Sequence, residues 1–389
     1  MKFLCKTFDL LQALNLVTRA ISGQQALPIL GNVLLKAEGK RCTLSATDLE
    51  LSIVTSFDAN IENEGSITVP AKAIINFAQY NSDKEVLIET NEGTQLKCTS
   101  SHAKTIIAGE ASTEYPTISS IKKETIFSLE TQPLLEALHM VTFASAKTTL
   151  RPVLAGVYVY NEGDHLVFVA TDSYRLSEYK IRTKNSTTPV SCIIPAKVLE
   201  ELKNILGSYR GEKEKKEKKE GGEDGISTTI PTVDIALSAQ QIEVRIGHTQ
   251  LLSRLIDGKF PDYKQIIPHE TKSTIAIKTK DLATITKRMH YFAKETNNNL
   301  TLTVRKSDNT LHITTPQTQS GRDEATMDME LRGDDNKIAL SSSYLLDFLS
   351  HVDDDVTEML LSDSMHPAVF HVPSKANMLH LIMPLRIQE

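Results

Sequence analysis

Apolar residues recur at helical spacing from the start of the chain. Leu10, Leu14, Val17 and Ile21 follow the i, i+4, i+7, i+11 spacing of one buried helix face. Thr7 stands just before them, where a hydroxyl is suited to cap the first turn. The first helix is therefore predicted to be amphipathic, with its apolar side in a core.

Further along, helical and alternating patterns follow one another. Residues 68–72, Thr-Val-Pro-Ala-Lys, are predicted to open a second helix. Residues 85–90 and 94–99 alternate apolar and polar side chains on either side of Asn-Glu-Gly at 91–93, which is typical of a β-hairpin. Helices combined with short strands of this kind predict an α+β fold.

The same pattern returns 124 residues later. Six residues recur in order at that offset: Phe3, Thr7, Leu10, Leu11, Ala13 and Leu14 fall on Phe127, Thr131, Leu134, Leu135, Ala137 and Leu138. Ala-Thr-Asp occurs at 46–48 and at 170–172, and a branched residue followed by Pro-Ala-Lys occurs at 69–72 and at 194–197. A repeat of this length predicts whole domains, because solenoid units are shorter.

A fainter third copy starts near residue 272. Residues 279–282, Thr-Lys-Asp-Leu, parallel residues 7–10, and residues 340–346 occupy the place of residues 194–200. The sequence therefore predicts three similar domains, 1–122, 123–271 and 272–389, each with two helices and several short strands.

Residues 211–225, GEKEKKEKKEGGEDG, interrupt the second copy. The segment has no apolar residue and cannot pack into a core. Its five lysines are nearly balanced by five glutamates and one aspartate, whereas a nucleic-acid-binding tail would carry one sign. We interpret it as an inserted, solvated surface loop with some helix where Glu and Lys alternate.

Composition limits the class of protein. The 389 residues carry a net charge of −6, which argues against a generally basic nucleic-acid coat but allows a local basic surface. Cys5, Cys42, Cys98 and Cys192 are too dispersed for a metal motif or a disulfide framework, and are predicted to be buried and reduced. Asp9 interrupts the N-terminal apolar stretch and no apolar run reaches ~18 residues, so the chain is predicted to be cytoplasmic.

Catalytic motifs are lacking in the sequence. It contains no phosphate-cradling glycine loop, nucleophile elbow or zinc-protease motif, and no metal or cofactor is expected. The best enzyme candidate is Asp172 beside Ser173 and Arg175, as a phosphate-handling corner. Asp48 occupies the same corner of the first repeat without Ser or Arg, so this aspartate is expected to bind backbone groups at a strand end. His380, like the other dispersed histidines, is expected to be a surface or strand residue.

Six motifs together carry a resemblance to a known family. They are Leu27-Pro28-Ile29-Leu30-Gly31-Asn32, Ala46-Thr47-Asp48-Leu49-Glu50, Arg151-Pro152-Val153-Leu154, residues 170–176, Asp257-Gly258-Lys259-Phe260-Pro261-Asp262-Tyr263 and Met383-Pro384-Leu385-Arg386. Each motif alone is weak support for a resemblance. Together with the threefold repeat, and in the order in which the family has them along the chain, they are specific. The chain resembles the bacterial sliding clamp family, the beta subunit of DNA polymerase III.

The resemblance implies a head-to-tail homodimer that forms a closed ring of six domains, with helices lining the hole and antiparallel sheets outside. Such a protein is no enzyme but a processivity factor that encircles double-stranded DNA without reading its sequence. Its implied partners are the DNA polymerase III alpha subunit, the ATP-driven clamp loader subunits, and other polymerases and repair proteins. No membrane contact is implied.

The resemblance also implies a pocket between the second and third domains for short peptide motifs. Carried over by motif position, its lining is Leu154, Thr171, Ser173, Tyr174, Arg175, Leu176, Pro261, Ile266, Pro367, Met383, Pro384 and Arg386. Apolar walls with a few polar anchors suit a motif bearing leucine or an aromatic side chain. Taken alone, Met383 and Leu385 are more typical of a core strand at a chain end, and only the resemblance favours the pocket.

Two further surfaces follow from the resemblance. DNA-facing lysines need contact only phosphates, and the candidates are Lys72, Lys197, Lys280, Lys287 and Lys294. The last three are seven apart, hence on one helix stripe, although a stripe chosen for solubility has the same pattern. The dimer seam would join Ile107 to Tyr291 and Phe292. Gln24 stands where relatives can carry arginine, so no DNA contact is expected there.

Two other functions remain open at this point. An enzyme would use the Asp172 corner, and a repeat-built scaffold would bind peptide motifs without ever meeting DNA. Positive charge on the inner helices separates the scaffold from the clamp.

Overall fold

The structure, a computed structural model, describes residues 1–23, 27–90, 94–118, 121–148, 150–183, 189–219 and 232–387. These residues form six α-helices: α1 (Thr7–Val17), α2 (Ala71–Tyr80), α3 (Thr131–Val141), α4 (Ala196–Lys219), α5 (Thr279–Ala293) and α6 (Ser342–Leu349). They also form 26 β-strands. The first thirteen are β1 (Lys2–Lys6), β2 (Asn32–Glu38), β3 (Arg41–Thr47), β4 (Leu51–Asp58), β5 (Asn60–Asn63), β6 (Gly65–Pro70), β7 (Glu85–Thr90), β8 (Gln95–Thr99), β9 (Lys104–Ala108), β10 (Thr125–Glu130), β11 (Gly156–Glu162), β12 (His165–Thr171) and β13 (Arg175–Arg182). The others are β14 (Ser191–Pro195), β15 (Thr232–Leu237), β16 (Gln241–Ile246), β17 (Thr249–Arg254), β18 (Ser273–Lys278), β19 (Asn299–Arg305), β20 (Thr310–Thr314), β21 (Glu324–Asp328), β22 (Glu330–Gly333), β23 (Asn336–Ser341), β24 (Val356–Leu361), β25 (Ala368–His371) and β26 (Met378–Ile382).

The chain divides into two compact units. The first contains Met1–Gln132 and Glu201–Leu255, and the second contains Pro133–Glu200 and Ile256–Glu389. In the first unit, one sheet has the order β5-β1-β7-β8-β9 and another the order β10-β15-β16-β17-β4-β3-β2-β6. In the second unit the orders are β14-β11-β12-β13-β26-β25-β24-β18-β22 and β21-β20-β19-β23. All described strand pairs are antiparallel, both where the strands are adjacent in sequence, as β7 and β8 are, and where they are far apart, as β13 and β26 are.

Each domain of the repeat supplies two half-sheets with a constant strand order. The leading half-sheets are β1-β7-β8-β9, β10-β15-β16-β17 and β18-β24-β25-β26, and the trailing half-sheets are β6-β2-β3-β4, β14-β11-β12-β13 and β23-β19-β20-β21. A leading half-sheet joins a trailing one through their end strands, β17 with β4 and β26 with β13. The predicted α+β fold of three similar domains, with two helices and antiparallel sheets in each, is thus confirmed.

The two compact units do not follow the repeat, because a sheet crosses each domain junction. The second domain therefore gives one half-sheet to each unit. The boundaries at 122/123 and 271/272 stay a prediction from the repeat.

The first helix differs from its prediction at both ends. Thr7 is the first helical residue, the N-cap position is Lys6 with no side-chain hydrogen bond, and the helix ends at Val17 with a 3-10 turn beyond it. The prediction that the Thr7 hydroxyl caps this helix is therefore wrong. Its N–H instead donates to the Lys84 carbonyl, at 2.9 Å, and the N–H of Thr279 at the start of α5 binds the Asp355 carbonyl at the same distance. In the first and third domains, the backbone at the start of the first helix is therefore bonded to the segment that follows the second helix.

The charged insertion contains the helix expected where Glu and Lys alternate. Helix α4 continues to Lys219, so residues 211–219 are helical, as good helix formers allow. Residues 220–225 lie outside the described residues. The hairpin of β7 and β8 is confirmed by their antiparallel pairing, while its turn at 91–93 and Gln24 also lie outside.

The four cysteines are buried or half-buried in the structure. Cys5, Cys42 and Cys98 are buried as predicted, whereas Cys192 is half-buried. Burial raises the pKa of the Cys5, Cys98 and Cys192 thiols to about 12. Within the part of the chain that the structure describes, no group of three or more His, Cys, Asp or Glu residues could hold a metal ion. No helix in that part is long and apolar enough to cross a membrane.

Candidate functional site

The Thr-Asp corner of the second domain is a tight turn between β12 and β13. The Oδ1 atom of Asp172 accepts hydrogen bonds from the N–H groups of Tyr174, at 2.9 Å, and Arg175, at 3.0 Å. The hydroxyl of Thr171 donates to the Arg175 carbonyl, at 2.6 Å, and accepts from the N–H of Ser173. Ser173, at the tip, has a left-handed φ of 79°.

The first domain builds the same corner between β3 and β4. Asp48 accepts from the N–H groups of Glu50, at 3.1 Å, and Leu51, at 2.8 Å, and Leu49 at the tip has a φ of 75°. The prediction that this aspartate binds backbone at a strand end is therefore confirmed. Since both corners have the same hydrogen bonds, the Asp172 corner is domain architecture rather than a catalytic constellation.

Arg175 is particular to the second corner and is buried, with 3% of its surface exposed. Its Nε donates to Asp172 at 3.1 Å, its Nη1 to Asp347 on α6 at 2.7 Å, and its Nη2 to the carbonyl of Phe143 at 2.8 Å. The guanidinium also lies 4.7 Å from the ring centroid of Tyr344 and 5.5 Å from that of Phe143. Arg175 thus uses Nε and one donor on each Nη atom within the protein, and its place in the pocket lining stays a prediction. It is a structural group under the surface that fixes the start of β13 to α6.

The C-terminal segment runs beside this corner. The N–H of Met383 donates to the Tyr174 carbonyl at 2.8 Å, and the N–H of Leu385 donates to the Ala339 carbonyl at 2.7 Å. Met383 and Pro384 are consequently held between the corner and β23.

The strap, defined as residues 257–267, forms the remaining side. Its Phe260 and Tyr263 are buried in an apolar cluster with Leu176 and Leu381, against which Met383 also packs. The cluster thus draws together the strap, the start of β13 and the end of β26, three of the predicted pocket segments.

Exposure separates the twelve predicted lining residues into a floor and a rim. The floor consists of the buried residues Leu154, Thr171, Arg175, Leu176 and Pro367, with half-buried Met383 and Pro384 at its edge. The rim consists of the exposed residues Ser173, Tyr174, Pro261, Ile266 and Arg386. Tyr174 is 61% exposed and Ile266 is 39% exposed, so both present apolar surface to solvent beside the buried cluster. The rim is what a ligand could touch directly.

The sequence reasoning missed two side chains on α6. Tyr344 stacks on Tyr174, with centroids 6.5 Å apart, as well as on Arg175, and Asp347 carries the ion pair. The run at residues 340–346 was recognised as a helix, yet nothing in its periodicity indicates which residues face β13.

His380 lies on β26, which agrees with the expected surface or strand position, but this strand is an interior one between β13 and β25. It is fully buried and stacked on Phe348, with ring centroids 4.6 Å apart. Its Nδ1 lies 2.6 Å from the Ser177 hydroxyl on β13, while Nε2 has no hydrogen-bond partner among the described residues. Burial holds the pKa of His380 well below its usual value, and the nearby charge of Arg175 lowers it further.

Low pH is therefore expected to destabilise the second unit through His380. Because the pKa of His380 is lowered in the folded state, the unfolded chain takes up the proton first as the pH falls. The contribution of neutral His380 to the free energy of unfolding is therefore complete above about pH 6.5. Below that pH it declines by about 1.4 kcal/mol per pH unit. His380→Asn keeps a polar atom near Nδ1 but cannot titrate. Melting temperatures between pH 7.5 and pH 5 should fall less steeply for this variant, and equal slopes would contradict the assignment.

The predicted DNA-facing lysines are all exposed and all lie on helices or at helix ends. Lys72 and Lys197 occupy the first turns of α2 and α4, and Lys280 and Lys287 lie on α5, with Lys294 directly after it. A seven-residue separation on a helix is about 10.5 Å, so the last three form one row. Neighbouring Arg288 is bound instead by Asp323, at 2.7 Å.

The predicted dimer residues differ in exposure. Tyr291 is 68% exposed and packs edge-on against half-buried Phe292. Ile107 is only 5% exposed, whereas its neighbour Ile106 is 52% exposed, because adjacent strand residues point to opposite faces. The exposed large apolar side chain of β9 is therefore Ile106, and the seam role of Ile107 stays a prediction.

Comparison with known proteins gives one consistent result. Three models of the DNA polymerase III beta subunit match the chain: the N-terminal domain at residues 1–119, the central domain at 128–213 and the C-terminal domain at 264–386. The beta sliding clamp of Synechocystis sp. is 28% identical over 407 residues and 100% of both chains.

Solved structures agree with this result. The DNA polymerase III subunit beta from Pseudomonas aeruginosa is 25% identical with a TM-score of 0.89, and a sliding clamp from the same organism bound to griselimycin is 25% identical with a TM-score of 0.88; each covers 100% of both chains. The chain therefore belongs to the DNA polymerase III beta subunit family, the bacterial beta sliding clamps.

Proposed function

We propose that this chain is a DNA sliding clamp, a processivity factor that encircles duplex DNA and tethers the replicative polymerase and repair proteins to it. As a member of the beta subunit family it is an accessory protein and not a catalytic enzyme. The observation that carries the proposal is the strand order, which leaves two complementary sheet ends on one chain of a clamp family.

The strand order supports a head-to-tail ring. Leading half-sheets end in β9, β17 and β26, and trailing half-sheets end in β4, β13 and β21. Two of each are joined within the chain, so of these six end strands β9 and β21 are the two that have a neighbour on one side only. If β9 of one copy pairs with β21 of another, two copies close into six domains with one kind of junction.

Side chains at these ends are complementary as well. Strand β9 begins with exposed Lys104, and β21 carries exposed Glu324 and Asp328. Antiparallel pairing would set Lys104 opposite one of these carboxylates. Exposed Ile106 and Tyr291 then supply apolar area at the seam.

The exposed lysines on the helices support contact with DNA phosphates. Phosphate contacts carry no sequence information, as a sliding ring requires. We propose that Lys72, Lys197, Lys280, Lys287 and Lys294 line the hole, and that the chain works in the cytoplasm, where bacterial DNA and its polymerases are found.

We further propose that the rim residues receive short peptide motifs of the polymerase alpha subunit, clamp loader subunits, other polymerases and repair proteins. The mixture of exposed aromatic and aliphatic side chains over an apolar floor supports this. A linear segment bearing leucine or an aromatic side chain fits such a surface.

Retention on circular DNA tests the clamp directly. Protein loaded by an ATP-dependent clamp loader onto a nicked duplex circle is expected to stay with the DNA during gel filtration at high salt, and to be lost once the circle is cut. A topological link survives salt, whereas ionic contacts do not. Equal retention on circles and linear DNA would rule out encirclement, and no DNA retention with intact peptide binding would favour the scaffold.

A charge variant in the same assay examines the inner helices. With Lys280, Lys287 and Lys294 changed to alanine, the ring should remain on circles but bind linear DNA more weakly at low salt. The slope of its affinity against salt should be smaller by about 0.9 for each phosphate that is no longer neutralised. The matched control changes Lys272, Lys306 and Lys337, which are exposed in the same domain but lie off the helices. If the two variants weaken DNA binding equally, Lys280, Lys287 and Lys294 are not a specific DNA-contacting row.

A further inference from the structure

The strap is attached to the second domain by a buried polar contact. The hydroxyl of Tyr263 donates to the carboxylate of Glu178 on β13 and lies 2.7 Å from the hydroxyl of Tyr160 on β11. Tyr263 and Glu178 are 5% and 7% exposed. Of the described hydrogen bonds made by strap side chains, this bond to Glu178 is the buried one.

Because Glu178 is buried, its carboxylate depends on the hydrogen bond from Tyr263. A carboxylate out of water needs hydrogen-bond donors, and the nearest cation, Lys180, is 3.5 Å away. Burial and the carboxylate together raise the pKa of Tyr263, so the hydroxyl stays protonated and donates at every physiological pH. Loss of the hydroxyl would leave Glu178 short of its principal partner.

The other strap contacts are of lesser or non-directional kinds. Phe260 stacks on Tyr158, with centroids 5.1 Å apart, and gives apolar area without fixing position. Lys264 binds Glu162, which also binds Lys180; these side chains are 34% to 54% exposed, so water weakens their ion pairs more than it weakens the buried bond.

The position of the bond connects it to the candidate pocket. Tyr263 lies between Pro261 and Ile266, the two strap residues of the predicted rim, and Glu178 lies three residues after Arg175 on β13. A shift of Tyr263 would therefore move one side of the pocket relative to its floor.

We propose that the Tyr263–Glu178 hydrogen bond is the latch that holds the strap in its peptide-binding position. Both residues are positioning residues, since they act through Pro261 and Ile266 and touch no ligand. This inference rests on the proposed peptide site. It adds the hydrogen bond that fixes the strap side of that site.

Four variants of the full-length protein test the latch. Tyr263→Phe and Glu178→Ala remove the bond, Glu178→Gln keeps a neutral acceptor for the tyrosine, and Tyr158→Phe is the matched control because its hydroxyl reaches Ser191 at the exposed surface. Two quantities are measured for each: the rate of trypsin cleavage after Lys259 within the strap, followed by mass spectrometry, and the dissociation constant of a fluorescein-labelled peptide bearing adjacent leucine and phenylalanine.

We expect Tyr263→Phe and Glu178→Ala to raise both quantities by at least about fivefold, and Glu178→Gln and Tyr158→Phe to leave both within about twofold. Rescue by glutamine separates positioning from a general loss of folding. Unchanged cleavage in Tyr263→Phe, or faster cleavage with an unchanged dissociation constant, would overturn the latch. If the wild-type protein binds no such peptide, the proposed peptide site fails, while the cleavage comparison still decides whether the bond holds the strap.

Discussion

Replacing Arg175 with alanine is expected to lower the free energy of unfolding of the second unit by about 3 kcal/mol, because a buried cation is removed from between two carboxylates. The variant also loses the stacking of the guanidinium between Tyr344 and Phe143. Peptide binding should weaken strongly, since the corner that carries Tyr174 is then attached to α6 by no ion pair. Thermal unfolding should show a fall in melting temperature of about 5 °C or more.

Arg182, at the other end of β13, provides the matched control for this change. It pairs with Asp164 at 2.9 Å, but its side chain is 81% exposed, so its replacement by alanine should change stability by less than about 0.5 kcal/mol. Similar melting temperatures for the two alanine variants would show that Arg175 is not the structural group described above.

Removal of residues 383–389 is expected to abolish peptide binding while the dimer remains intact. The deletion takes away Met383, Pro384 and Arg386 and leaves the carbonyls of Tyr174 and Ala339 without their partners. It removes neither β9 nor β21, the proposed seam. Titration with the labelled peptide should give no saturable signal, and light scattering should still report a dimer.

A shorter deletion, of residues 388 and 389 alone, is the control and should bind peptide normally because every described lining residue is kept. Dissociation of the longer deletion into monomers would place the C-terminal segment at the seam. Undiminished binding would exclude Met383 and Pro384 from the pocket.

The repeated features of the fold could be predicted from the sequence. The 124-residue offset identifies equivalent strands and helices, and the Ala-Thr-Asp motif predicts a corner whose aspartate binds the same two backbone groups in both domains. These features are local, so each depends on residues a few positions apart. The repeat also indicates which residues depart from the shared pattern, namely Ser173, Tyr174, Arg175 and Leu176.

Contacts between distant segments could not be predicted in this way. Asp347 lies 172 positions from Arg175, and no local pattern relates them. Ile106 and Ile107 are chemically identical neighbours, so only the register of β9 against β8 decides which one is exposed. His380 on β26 is buried because it faces β13 and two phenylalanine rings, Phe348 and Phe370, none of which its surrounding sequence reveals.

The constant strand order also bears on curvature. A subunit with two complementary ends can grow into an open helical filament unless every junction turns by the same amount, about 60° for six domains. Strand pairs β17–β4 and β26–β13 are the two junctions set within the chain. Substitutions that alter the twist of these strand pairs would therefore give an open spiral in place of the proposed planar ring. Such a spiral could not close around DNA, even with an unaltered seam.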